Sequence, residues 1–478
     1  MLTRREFLGR SARLAPVAAS FPWLLAACGG DERTAQDETS GKAQILVGFG
    51  TGNAPEQIPI QERLADAFAR AGAGGSVDFL RIPDTDEAQR KLGVLIAAGD
   101  PPNMVLPTGL YGIALYVDQD VWFDLSGYMR DDDIDPGLFE EATLRAARVP
   151  NYYGADSDAM VGIPAGMFTH VVAYNKELFE KAGVPEPPHE WGTDEWTYDR
   201  QLEVATSLTL DSKGRTPNDA GFDAADIVQF GLGHWDTGMM IRGFGGSPYD
   251  PESRTLAFDT PEYQAGLQFG ADLINRHHVL ANDELAAGVA AGADDPQLAA
   301  WTSGKLAMID MCACDLLSYG SGAKFAWDVA AWPGGPERTV AHLNLDVGSI
   351  VAASDNHDLS WEVLKFMLTE PDNARTLSVQ GYGAMSPLKS ESGKFVDELQ
   401  DRFPGVDLQV FVDALPFSTP EQEEWYPAFL EVNDMSGQFL DAVYQGQAPA
   451  AGLLPEVVEV RLAQATLEKG ACVHAGAP

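Results

Sequence analysis

Basic residues are scarce in this chain. Its 478 residues hold 32 lysines and arginines against 71 aspartates and glutamates, a formal charge of −39. Residues 1–27 contribute +3 through Arg4, Arg5, Arg10 and Arg13 against Glu6, so the remainder carries −42. Such a surplus repels phosphate backbones and anionic lipid headgroups, which excludes nucleic acid as a partner. The acids are spread along the whole chain, as solubility in a salty or acidic niche would require; attraction of a cationic ligand is the sharper alternative. Beyond residue 27 no apolar run is long enough to span a bilayer. There is no Gly-x-Ser-x-Gly elbow, no Gly-Lys-Ser/Thr phosphate loop and no His-Glu-x-x-His, which removes the usual hydrolase, nucleotide and zinc-peptidase signatures. The eight histidines do not cluster, and nothing calls for a metal or a cofactor.

Cysteine is rare too: Cys28, Cys312, Cys314 and Cys472. Cys28 ends an N-terminal stretch with a function of its own. Met1 to Gly9 contains paired Arg4-Arg5 followed by Phe7-Leu8, and an apolar run from Leu14 leads to Leu25-Ala26-Ala27-Cys28. A cationic start, an apolar middle and a small-residue end make an export signal. The twin arginines indicate the route that carries folded proteins. Cys28 after Leu-Ala-Ala resembles the lipobox of bacterial lipoproteins, in which the cysteine becomes the acylated N-terminus. Residues 1–27 are then the signal peptide, and the polar 28–42 a flexible tether. The body is extracytoplasmic, anchored to the lipid bilayer through acylated Cys28. In an oxidising compartment the three remaining cysteines make one disulfide and one thiol the simplest count. Cys312 and Cys314 would share one face of a strand, where a bond between them is strained; Cys472 is the more plausible partner of one of them.

Strands and helices alternate along the body. Gln44 to Phe49, Val77 to Ile82 and Asn103 to Leu106 read as strands, with helices between them, the first stopped by Gly72 and the second, Asp86 to Ala98, by Gly99. Further helices are predicted at Asn175 to Ala182, at Thr197 to Leu208, after Thr260-Pro261 and after a capping Ser360. Asp226 to Leu232, Leu306 to Met311, Phe325 to Ala331 and Asp346 to Ala353 read as strands. This order predicts an α/β fold in which mixed sheets are flanked by helices. At this length two domains are the prior.

Several patterns imitate known chemistry. Gly48-Phe49-Gly50-Thr51-Gly52 follows a strand but lacks the third glycine of a dinucleotide turn, so a permissive loop beside a ligand cleft is the better reading. Asp131, Asp132, Asp133 and Asp135 suggest a calcium loop, yet Pro136 replaces its glycine; Asp135 as a helix cap with Pro136 behind it accounts for them. Met308, Met311, Cys312 and Cys314 could suit a soft metal, but core packing and a disulfide explain them. Acidic pairs such as Glu423-Glu424 are expected by chance among 71 acids. What stands out is aromatics in glycine-rich loops: Tyr111, Trp235 beside Asp236, Trp332 and Tyr382. Sugars present flat apolar faces to aromatic platforms, and hydroxyl edges to neighbouring Asp or Asn.

The segments KLGVLIAAGDPPNMV (91–105), Gly162-Ile163-Pro164, AYNKELFEKAGV (173–184), WTSGKLAM (301–308), WPGGP (332–336) and WEVLKFMLTEP (361–371) occur in an order that resembles the family 1 extracellular solute-binding proteins of bacterial ABC importers, the maltose-binding-protein-like group. Asn103 and Cys314 depart from the pattern, standing where many relatives have an aspartate and a tryptophan. The resemblance implies two hinged lobes, one of residues 43–164 and 333–386, the other of 165–332 and 387–478. It implies a small-molecule solute, most simply a sugar or oligosaccharide, bound between them and delivered to the permease transmembrane subunits, without catalysis. By position it assigns ligand contact to Tyr111, Phe168 and Trp235, and more weakly to Phe49, Asn53 and Tyr382; Asp236 and Trp332 join them as loop neighbours. A surface carbohydrate-active enzyme and a receptor for a polyol-phosphate, peptide or polyamine remain the alternatives.

Replacing both Arg4 and Arg5 by lysine should leave precursor in the cytoplasm, as read by cell fractionation. Unimpaired export of that double variant would rule out the folded-state route.

Overall fold

The β-rich run that begins at Gly41 is the first element of a computed structural model that describes residues 41–55, 57–72, 74–116, 119–149, 159–250, 255–290, 295–420, 437 and 440–452. Arg4, Arg5, Cys28, the segment up to Ser40, Glu423-Glu424 and Cys472 lie outside them. Ten strands build one mixed sheet: β1 (Gly41–Val47), β2 (Gly75–Arg81), β3 (Met104–Val105), β4 (Ile163–Asn175), β5 (Leu210–Asp211), β6 (Ile227–Leu232), β7 (Leu306–Cys312), β8 (Trp327–Ala330), β9 (Ala341–Ile350) and β10 (Ser418–Pro420). Their order is β2-β1-β3-β9-β4-β7-β6-β5, with β8 added to β4 and β10 to β9.

The two long strands in the middle hold the sheet together. All thirteen residues of β4 are buried, and β9 is buried except at Asn344. They pair antiparallel, with Leu343 opposite Thr169, Asn344 opposite Phe168 and Asp346 opposite Gly166. On one side β9 passes the sheet to β3 and then to parallel β1 and β2. On the other side β4 pairs with β7, which runs parallel to β6. Among the parallel strands, β1 is buried from Ile45 to Val47 and β6 from Phe230 to Leu232, whereas the outer strand β2 has no buried residue.

Local signals place the helices. Asp84 caps Thr85–Ala98, and Gly99 closes it in the left-handed region at φ 75°. Asn175 caps Lys176–Ala182, Thr197 caps Tyr198–Leu208, and Thr260 caps Pro261–Asn275 with the proline at its first turn. Asp135 accepts the Gly137 N–H ahead of a short turn begun by Pro136, so it is the expected cap. Ser360 does not cap its helix. That helix runs His357–Leu368 from Asn356, and the Ser360 hydroxyl donates to the Asn356 carbonyl within its first turn. One strand is added and another starts earlier. Ile163–Asn175 is a full strand that the sequence reading passed over, and the strand expected at Asp346 already begins at Ala341.

The cysteines pair differently from expectation: Cys312 bonds to Cys314. The strand ends at Cys312 and the chain enters a tight helical turn, Ala313–Leu317. That coiling brings the two Cα atoms to 5.1 Å, inside disulfide range, where an extended strand would hold them about 6.8 Å apart. Among the described residues no helix is long and apolar enough to cross a membrane.

Gly231 packs so tightly against the backbone of the Tyr198–Leu208 helix that a Cβ there would sit 2.2 Å from the Ala205 carbonyl oxygen. Gly231→Ala should therefore lower stability by about 1–3 kcal/mol or more in thermal melts. Gly93→Ala, on a helix with open space around it, should be neutral or gain up to about 1 kcal/mol. Equal effects at the two sites would contradict this packing.

Candidate functional site

The β4–β9 pairing has a polar face. Residues of a strand alternate between faces, so His342, Asn344 and Asp346 of β9 share one with Gly166, Phe168 and His170 of β4. Cys312 and Asp310 of β7 join it, because Cys312 lies opposite His170. The loops at the strand ends converge here. The loop after β6 brings Asp236 to His342, the turn after β7 brings Cys312–Cys314 beside Asn344, and the chain after β3 brings Gly109 to Asp346. Ligand sites of α/β sheets gather at such strand ends.

At one end of this face two imidazoles stack, His170 on His342, with centroids 4.5 Å apart. Each is held by a carboxylate. His170 Nδ1 lies 2.9 Å from Asp310 Oδ1 and 3.1 Å from its Oδ2. The Asn344 side-chain amide lies 3.0 Å from His170 Nε2. His342 Nδ1 lies 2.8 Å from Asp236 Oδ2. Asp236 also caps the helix Thr237–Gly243 by accepting the Met239 N–H. Burial opposes ionisation of Asp236, but the positive charge and hydrogen bond of His342, the Met239 N–H and the charge of His170 outweigh it. The carboxyl is held far below its ordinary range.

The opposite end carries an acid without a mate. Asp346 is 9% exposed, and no donor among the described residues reaches its Oδ2. Burial pushes its carboxyl up to about 7. The buried Tyr382 hydroxyl has no hydrogen-bond partner among the described residues either, and burial together with the nearby Asp346 charge raises its pKa. Tyr382 ends a π-helical turn, Thr376–Tyr382, a distortion common at functional sites.

The residues singled out by sequence fall into three places. Trp235 and Trp332 are buried and packed on each other, centroids 4.5 Å apart, beside Asp236. Phe168 sits mid-face opposite Asn344. Tyr382 and Phe49 lie at the Asp346 end, where Phe49 packs on Tyr116 and its carbonyl oxygen lies 3.7 Å from where a Cβ on Gly109 would be. Tyr111 is in the first turn of the adjoining helix, Gly109–Tyr116. Asn53 lies where β1 and β2 end. Its amide donates to the carbonyls of Val47 and Ile82, both at 3.1 Å, tying together the ends of β1 and β2.

His170, His342, Asp310, Asn344 and Asp346 escaped the sequence reading. A signal for three of them was present: in His342-Leu343-Asn344-Leu345-Asp346 polar and apolar residues alternate with period two, the mark of a strand with one polar face. As for metals, Cys312, Cys314 and Asp315 place ligand atoms within 4.8 Å of one another. Both sulfurs are used in the disulfide, so no thiolate is offered there.

A face of hydrogen-bonding groups walled by aromatics, on the central strands of a sheet that continues into helix-covered strands on either side, is the architecture of a solute receptor. The family model for bacterial extracellular solute-binding proteins matches residues 53–374, and the chain belongs to that family. Its structure is similar to an ABC substrate-binding protein of Listeria monocytogenes in complex with cycloalternan, with a TM-score of 0.67 and 17% identity, covering 90% of this chain and 99% of that one. It is similar as well to the cyclic alpha-maltosyl-1,6-maltose binding protein of Arthrobacter globiformis (TM-score 0.64, 16% identity, 91% and 99% covered). A third likeness is UgpB of Mycobacterium tuberculosis in complex with glycerophosphocholine (TM-score 0.63, 17% identity, 91% and 98% covered). The fold is accordingly the two-lobed, periplasmic-binding-protein-like α/β architecture.

Asp346 gives a test by pH. Its carboxyl titrates near 4 in an unfolded chain and about 7 in the fold, so between those values the folded state binds the extra proton. Its contribution to stability therefore declines as pH rises from about 4 to about 7. Asp346→Asn, which cannot ionise, should stabilise the protein more at pH 8 than at pH 4. The difference should be on the order of 1–4 kcal/mol, at about 1.4 kcal/mol per pKa unit. Thermal melts at the two pH values read it, and an equal effect at both would refute the buried, unmatched acid.

Proposed function

We propose that this chain is the lipid-anchored, extracytoplasmic substrate-binding component of an ABC importer, and that it binds a sugar or oligosaccharide along the polar face of β4 and β9 and delivers it to the permease. The observation that carries this reading is the row of His342, Asn344 and Asp346, flanked by Trp235–Trp332 at one end and Tyr382 at the other. Hydroxyls need directional donors and acceptors, and pyranose faces need aromatic platforms. Membership in the solute-binding family supports binding without turnover. So does the engagement of Asp236 and Asp310 by imidazoles, which suits fixed display of polar groups more than an acid–base pair working on a glycosidic bond.

In this reading residues 43–164 with 333–386 form one lobe and 165–332 with 387–478 the other. The chain then crosses between them near Ile163-Pro164, near Pro333-Gly334 and near Pro387, and ligand draws the lobes together by binding the closed state more tightly. Cys28 supplies the lipid anchor, and Arg4-Arg5 direct export in the folded state.

Calorimetric titration against a panel of oligosaccharides, with product analysis of the same samples, tests the assignment: heat of binding without new products supports it, and turnover refutes it. With a ligand in hand, Trp235→Ala should weaken binding by about 1–3 kcal/mol, the range for a large buried side chain. Unchanged affinity with reduced stability would place Trp235 in the core alone.

A further inference from the structure

The polar face carries the carboxylates of Asp236, Asp310 and Asp346 and the imidazoles of His170 and His342. Asp236 takes His342, and Asp310 takes His170. Asp346 is left over. Among the described residues the groups that face it are the Tyr382 hydroxyl, the start of the Gly109–Tyr116 helix and, beyond the tyrosine, Arg81. None of them compensates it. Tyr382 is neutral, and no N–H of the helix start bonds to the carboxylate. The Thr108 N–H donates instead to the Val347 carbonyl. The Arg81 guanidinium donates from Nη1 to the Gly52 carbonyl and to Gln61 Oε1 at 2.7 Å and lies over the Phe79 ring; its Nη2 has no partner among the described residues, but Asp346 feels burial and no opposing charge. A carboxylate so far removed from water is costly unless a cation or several donors meet it.

We propose, building on the receptor reading above, that Asp346 is a specificity-determining residue which receives a protonated amine of the solute, so that the preferred ligand is a basic one, an amino sugar or amino-oligosaccharide in preference to its neutral counterpart. The solute's ammonium group supplies the charge that the chain withholds, and the Tyr382 hydroxyl accepts a second N–H or donates to a neighbouring oxygen. The far end of the face, with His342, Asn344 and the paired tryptophans, holds the uncharged remainder. His342 and Asp346 stand four residues apart on one strand, which separates the two ends by about 13 Å, room for a ligand of more than one ring. The charge of −42 on residues 28–478 favours the same choice at long range, since it concentrates cations near the cleft.

The test uses the full chain, purified in detergent, and calorimetric titration with matched pairs. The pairs are glucosamine against glucose, galactosamine against galactose, and chitosan oligosaccharides against their N-acetylated forms of equal length. Spermidine serves as a sugar-free amine. At least one amino member should bind ten-fold or more tightly than its neutral partner. At pH 6, titrations in buffers of different ionisation enthalpy should show release of close to one proton per ligand bound, because the amine arrives protonated while Asp346 gives up its proton. Asp346→Asn should collapse the ten-fold ratio toward one. Affinity ratio and proton release in the unaltered protein stand independently of whether that variant folds. Neutral sugars binding as tightly as their amino partners, with no proton released, would overturn the role of Asp346 and leave the sugar reading intact. Spermidine binding as tightly as any amino sugar would support the amine contact and overturn the sugar reading. Failure of every compound to bind would overturn both.

Discussion

The antiparallel pairing of β4 with β9 is the constraint from which the rest follows. Opposite Phe168 sits Asn344, and opposite Gly166 sits Asp346. A slip of one residue would turn His342, Asn344 and Asp346 into the apolar layer on the other face and bring Leu343 and Leu345 to the ligand side. Burial of Leu343, Leu345 and Val347 on the far face holds the register, and the polar face is its consequence. On the strands to either side the sheet is carried outward by shorter parallel pairings, each with its own helices, so the pairing positions loops that are distant in sequence.

Electrostatics on that face are arranged in two modes. At the His170–His342 end, charge is matched inside the protein: each imidazole has a carboxylate, and the pairs orient one another by stacking. Their value lies in geometry more than in stability, because desolvation offsets much of the Coulomb gain of a buried pair. At the Asp346 end, charge is left unmatched. The same sheet face is thus rigid at one end and chemically demanding at the other.

Features written in adjacent residues were legible in the sequence. Asp135-Pro136, Thr260-Pro261 and Gly99 form the local structures expected of them, since caps and stops act within one turn. The order of short motifs sufficed for the family and the fold. The cleft floor was harder, because His170 and His342 become neighbours only through strand pairing. The alternation from His342 to Asp346 was visible, but placing the strand's start at Asp346 hid it. Cys312–Cys314 was misjudged because the strand was extended through Cys314, whereas the chain coils after Cys312. Trp235 and Trp332 were each picked out as aromatics in glycine-rich loops; the structure packs them against each other, a relation no single-residue argument contains.

The central pairing also bears on how the chain comes to be folded. Phe168 cannot meet Asn344 until the ribosome has made everything between them, so β4 waits through a long stretch of synthesis with its pairing edge and thirteen buried residues uncovered. Contacts so distant in sequence are slow to form, and an unpaired apolar strand is a template for aggregation in the meantime. The acidic surplus spread over the chain keeps nascent copies apart during that wait, which gives the surface charge a role before any ligand is met.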